Sequence, residues 1–103
     1  MKIPILGRHW KVTLVADEKF EAKFGADVAA VTLPTLREII FCDGQVSLET
    51  VRHELVHAYY HDTCTSSADL TTDQVEEVFC DLFAIHGAAI LKTAGVLYRE
   101  LQK

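Results

Sequence analysis

Positive charge is scarce in this sequence: Lys and Arg number 10 against 15 Asp and Glu, a formal net charge of −5 at pH 7. A nucleic-acid-binding domain carries a basic face, and none is present, so no nucleic-acid partner is expected. Long apolar runs are missing too. None reaches the roughly 18 consecutive residues of a membrane span, so no membrane association is expected. The short apolar stretch in residues 1–10 is broken by Pro4 and lacks a small-residue cleavage site, unlike a signal sequence. Cysteine is sparse. Cys42, Cys64 and Cys80 are odd in number and show no CxxC spacing, which suits a reduced, cytoplasmic chain better than a disulfide framework. With two prolines and five glycines there is no linker, repeat or low-complexity tract.

What is present is a core. Half of the 103 residues are apolar, which excludes a mainly disordered chain and fits one domain over residues 1–103. Trp10, Val12 and Leu14 alternate with Lys11 and Thr13, the period of a half-buried strand. Residues 28–33 form a short apolar run ended by Pro34. Residues 38–42 (EIIFC) form another, ended by the turn pair Asp43-Gly44. Residues 17–24 fit either a short helix or an irregular excursion.

After Gly44 the pattern turns helical. Ser47 is a plausible N-cap, and Leu48, Val51, Leu55 and Ala58 recur at three- and four-residue steps to about Tyr60. Residues 62–70 read as a polar loop. Thr71 and Gln74 then form a capping-box pair ahead of an apolar helix that runs to about Leu101 unless Gly87 or Gly95 ends it. The expected fold is α+β, with about three strands packed on two helices.

Inside the first of these helices lies His53-Glu54-Leu55-Val56-His57, an HExxH motif. Residues i and i+4 share a helix face, so both imidazoles can reach one metal ion. Neutral imidazole is a good zinc ligand. Glu54 sits about 100° round the helix from His53, poorly placed as a ligand and well placed beside a metal-bound water. That is the position of a general base in zinc-assisted peptide hydrolysis.

Catalytic zinc takes three protein ligands and a water. Glu76 and Glu77 open the following helix, and Glu77 is preferred because Asp81 stands one turn beyond it. In an antiparallel helix pair Asp81 then falls near His53 and can accept its second ring N–H. Two acids on a buried apolar helix are costly unless paired or metal-bound. His61 lies one turn past His57 and cannot share a metal with His53, about 12 Å away.

HELVH followed by Glu77 and Asp81 resembles the gluzincin group of zinc metallopeptidases. In that group a Glu on the next helix completes the zinc site and an Asp one turn later supports a zinc-binding His. The segment EVFCDLFA (residues 77–84) is also similar to the second motif of the ImmA/IrrE-like peptidases of phages and bacteria, with Asp81 where that family has Asn. The resemblance covers roughly residues 36–90. It implies a zincin-like fold, a Zn²⁺ cofactor held by His53, His57 and Glu77, and Glu54 as general base. It also implies a protein or peptide substrate and a regulatory protease of phage or bacterial type. No counterpart of the oxyanion-stabilising Tyr or His of larger gluzincins is assured. A metzincin is disfavoured, because Tyr60 and Thr63 occupy the Gly and third His positions of the longer motif. The rival readings are a zinc-binding module without catalysis and a protein-interaction domain.

Overall fold

The computed structural model describes residues 1–63 and 70–103. Cys64 and most of the expected polar loop lie outside the described residues. The elements follow the order β1 (Lys2–Ile5), β2 (Arg8–Val15), α1 (Asp17–Phe24), β3 (Ala30–Leu33), β4 (Glu38–Cys42), α2 (Leu48–Thr63) and α3 (Thr72–Leu101). The fold is α+β, as the sequence pattern implies, but the sheet has four strands rather than three, in the order β1-β2-β4-β3. The additional strand is β1. Pro4 argues against a strand on sequence grounds, yet β1 is an edge, where a residue with no N–H to give is tolerated. Leu6 and Gly7, both at positive φ, close the tight turn between β1 and β2.

β2 runs antiparallel to β1 and parallel to β4, while β3 pairs antiparallel with β4 and forms the opposite edge. Strand β4 is apolar without alternation because both its faces are covered. Ile39 and Phe41 join Ile3, Ile5, Trp10, Val12, Leu55, Leu82, Ile90, Ala94 and Leu97 in the main core, on the side that carries α2 and α3. Ile40 and Cys42 turn the other way, against Phe20 of α1.

Both long helices begin where their caps place them. The Ser47 hydroxyl accepts the Thr50 N–H at 3.0 Å. Thr71 and Gln74 make the reciprocal capping box, and α3 passes through Gly87 and Gly95 without ending. By length and composition α3 is able to cross a membrane, since an 18-residue window within it has a mean hydropathy of 1.4. Asp81 and Lys92 break its apolar run, so counting consecutive apolar residues misses it. Here its inner face, through Leu82, Ile90, Ala94 and Leu97, is buried in the main core.

Asp17 fastens α1 to the end of β4. Its carboxylate accepts the Gly44 N–H at 2.6 Å and the Cys42 thiol at 3.2 Å. The Gly44 bond, then that from Cys42, holds the Asp17 carboxyl below the ordinary aspartate range. Burial first, with the carboxylate beside it, pushes the Cys42 thiol up, so it is a poor nucleophile. A Cβ on Gly44 would meet the Asp17 carboxylate, so a larger residue there would displace the carboxylate from its hydrogen bonds to Gly44 and Cys42. A carboxyl depressed on folding stabilises the fold above its unfolded pKa, and that contribution fades as pH falls through its folded value. Asp17→Ala should therefore melt below wild type at neutral pH, with the gap closing in acid. A thermal series across pH checks this.

Candidate active site

The HExxH motif lies in the middle of α2. The spacing does what helical geometry requires: His53 and His57 stand side by side, with Nε2 atoms 3.1 Å apart. Two imidazoles on one tetrahedral zinc, with bonds near 2.0–2.1 Å, bring their nitrogens to about 3.3 Å, so the pair already has nearly the bite of a chelate. At this distance a ring N–H of one histidine can donate to the ring nitrogen of the other. The two rings meet edge to face with centroids 4.8 Å apart.

Glu54 is buried while its neighbour is open, with side chains 8% and 67% exposed for Glu54 and His53. A buried carboxylate needs a donor, and the edge strand supplies one. Thr32 Oγ1 donates to Glu54 Oε1 at 2.8 Å. The other oxygen, Oε2, points toward the histidines, 3.9 Å from His53 Nε2. One carboxylate oxygen is thus anchored to β3 and the other is presented beside the imidazole pair.

A cleft of about 360 Å³ runs between β3 and α2, bordered by Ala30, Val31, Thr32, Glu54, His53 and His57. His61 sits on its rim. A second cavity, of about 450 Å³, opens on the far side of the same histidines, against α3.

The helix that bears the motif is pinned at its C-terminal end. Asp62, five residues past His57, accepts Trp10 Nε1–H at 2.7 Å and Arg37 Nε–H at 3.3 Å. Its side chain is 6% exposed, and these partners satisfy the buried charge. Sequence reading leaves these three residues unconnected, since nothing local links positions 10, 37 and 62.

The acidic residues of α3 lie elsewhere. Glu77 is exposed and borders none of the cavities that the histidines line. Asp81 borders a separate cavity with Thr63, Val78, Leu82, Ile85 and His86, and no hydrogen bond joins it to His53 among the described residues. Among those residues, no three of His, Cys, Asp and Glu converge as a metal-binding group. The reason is the rotational setting of α3. Phe79 faces the histidines and stacks on Tyr60, with centroids 5.3 Å apart and planes at 13°. Glu77 is then about 200° from Phe79 round the helix, whereas Glu76 is within about 60° of it. His86 lies against Tyr59 with ring centroids 5.6 Å apart.

Thr32 is the site residue that sequence reading misses. Its signal is faint: one hydroxyl in an otherwise apolar strand, AVTL. Thr32→Val keeps the volume and removes the donor, leaving Glu54 Oε1 short of a partner and the carboxylate free to swing. If Glu54 is the base, activity should fall by roughly 10-fold with no change in metal content, the size of effect that loss of an orienting partner produces. Turnover and bound metal measured on one preparation check this.

Searches against protein-family models, curated proteins and solved structures return no match to the chain.

Proposed function

We propose that the protein is a zinc-dependent metallopeptidase of minimal zincin-like design, in which His53 and His57 hold the metal and Glu54 is the general base. The observation that carries this reading is the divided Glu54 carboxylate: Oε1 is held by Thr32, and Oε2 stands beside two imidazoles already 3.1 Å apart. When bound, zinc supplies an acidified water and polarises a carbonyl. The chain's own part is to orient and to move protons. Glu54 Oε2 would take the proton of the attacking water and return it to the leaving amine.

The substrate is an extended peptide. β3 is an edge strand bordering the cleft that contains Glu54 and both histidines. Such an edge takes up an extended segment by main-chain pairing and leads it across the catalytic groups.

The third ligand is an acid at the start of α3. The gluzincin resemblance favours Glu77, with Asp81 behind it. Glu76 lies within about 60° of Phe79 round α3, nearer the histidine side than Glu77, but both are exposed and neither lines the cavity that Phe79 shares with the histidines. Zinc affinities of Glu76→Gln and Glu77→Gln decide between them, since only the true ligand weakens binding when neutralised.

A protein-interaction domain is the alternative, favoured by the apolar residues that α3 leaves exposed, Phe83, Ile85, Leu91 and Val96. The test is digestion of an unbiased peptide pool by zinc-loaded protein, read by mass spectrometry beside a chelator-treated sample. Cleavage products in the first sample alone support the peptidase. Intact peptides in both, at full zinc loading, would reject it.

A further inference from the structure

Helix α3 is 30 residues long, yet only its inner side, through Leu82, Ile90, Ala94 and Leu97, is buried in the main core. On its outer side Asp81, Ala84, Ile85, Ala88, Ala89 and Lys92 are all exposed, Ile85 at 72%. These residues fall within about 140° of one another round the helix. They make an apolar centre closed at each end by one charge, of opposite sign at the two ends. Asp81 and Lys92 lie about 16 Å apart along the axis and within about 20° of each other round it. Asp81 is the tenth residue from the start of α3 and Lys92 the tenth from its end, so the two are symmetric about the middle of the helix. The helix dipole does not account for them, because its effect fades within the first and last turns. Neither makes an ion pair among the described residues.

We infer that this outer face of α3 binds a second copy of the chain, helix against helix in antiparallel order, to form a twofold-symmetric dimer. In such an interface the same patch serves both copies, so it must complement its own reversed image. The face meets that condition. With the twofold axis level with the peptide between His86 and Gly87, Asp81 faces the partner's Lys92 and Lys92 faces the partner's Asp81. Ile85 then meets the partner's Ala88, and Ala84 meets the partner's Ala89. Alanines at the crossing let the two axes approach to about 8–10 Å. Burial of Ile85 and its neighbours removes apolar area from water on both copies. A parallel pairing would set Asp81 against Asp81 and Lys92 against Lys92, so the charges select direction and register together. A lipid surface fits this face less well. A helix that lies on a membrane is rich in Lys and Arg, whereas here Asp81 stands in the apolar stripe and the chain carries a net charge of −5. The inference does not rest on the metallopeptidase reading, since His53, Glu54 and His57 belong to α2 and not to this face.

The test is sedimentation of the full chain over a concentration series, with wild type expected to pass from monomer to dimer. Asp81→Lys alone and Lys92→Asp alone each set like charges opposite one another at both ends of the interface. Each should weaken dimerisation by at least about 10-fold. Mixed in equal amounts, the two variants offer two lysines on one chain to two aspartates on the other, and a heterodimer identified by its mass should form. The double variant Asp81→Lys/Lys92→Asp exchanges the charges and should dimerise as wild type does. Circular dichroism should be unchanged throughout, because both positions are exposed. A wild type that stays monomeric would overturn the inference. So would single variants that dimerise like wild type, or a mixture and a double variant that both stay monomeric with native helix content. Monomeric wild type that binds phosphatidylserine-containing vesicles through Ile85 would assign the face to lipid and overturn the dimer as well.

Discussion

Replacing Glu54 by Gln is expected to lower peptide hydrolysis by at least about 100-fold while zinc binding and the fold stay as they are. The substitution is close to isosteric. The Gln side-chain oxygen can still accept the Thr32 hydroxyl, so the bond at 2.8 Å that positions the group survives. What is lost is the second oxygen of the carboxylate, the one 3.9 Å from His53 Nε2. An amide nitrogen in its place cannot take a proton from water. The two imidazoles are untouched, so metal content should match wild type. A non-catalytic zinc module predicts a different outcome: no hydrolysis in either protein, with the same zinc in both. Turnover of a cleaved peptide, measured beside metal content, separates the two.

The second large effect is on stability. Leu55→Ala should cost about 3 kcal/mol, within the range for a fully buried leucine. Leu55 has no exposed surface and lies in the main core with Trp10, Phe41 and Leu97. Truncation leaves a void between α2 and the sheet that close-packed neighbours refill only in part. Domains of this size are stable by roughly 5–15 kcal/mol, so the loss is a large share of the total. It should lower the melting temperature by roughly 10 °C or more. Arg52→Ala, on the exposed side of the same helix, should change stability by less than about 0.5 kcal/mol. Leu55 follows Glu54 in the chain, so this position also tests how far the site depends on the core beneath it. Thermal and urea unfolding of the two variants make the comparison.

Much of the architecture was legible because local rules agreed with one another. Ser47 and the Thr71–Gln74 box mark both long helices at the residues where they start. The unbroken apolar run of residues 39–42 marks a strand buried on both faces, which β4 is. Residues 17–24 were ambiguous because Phe20 alone is fully buried there; with so thin an apolar face, the helix rests on its contacts with β4 and Gly44. β1 was hidden by Pro4, whose strand character depends on being at an edge, a property of the sheet and not of the segment.

At the site, i and i+4 spacing fixes the relation of His53 to His57 within one helix, and Glu54 follows from the same geometry. Relations between elements were less legible. Val75, Val78, Phe79, Leu82 and Phe83 spread over a broad arc of α3, so the pattern identifies an apolar side without its rotational setting. That setting turns Phe79, and not Glu77 or Asp81, toward the histidines. Thr32 and the Trp10–Asp62–Arg37 cluster depend on pairings far apart in sequence, which no local periodicity encodes.

The central claim is that the chelating pair in α2 holds a metal. The most direct measurement is native mass spectrometry of purified protein after addition of zinc, beside a His57→Ala control. The account predicts about one zinc per chain in wild type and none retained in the control, because one imidazole and one carboxylate fall short of the three protein ligands a catalytic zinc takes. Absence of bound zinc in both proteins, with zinc supplied in excess, would contradict it.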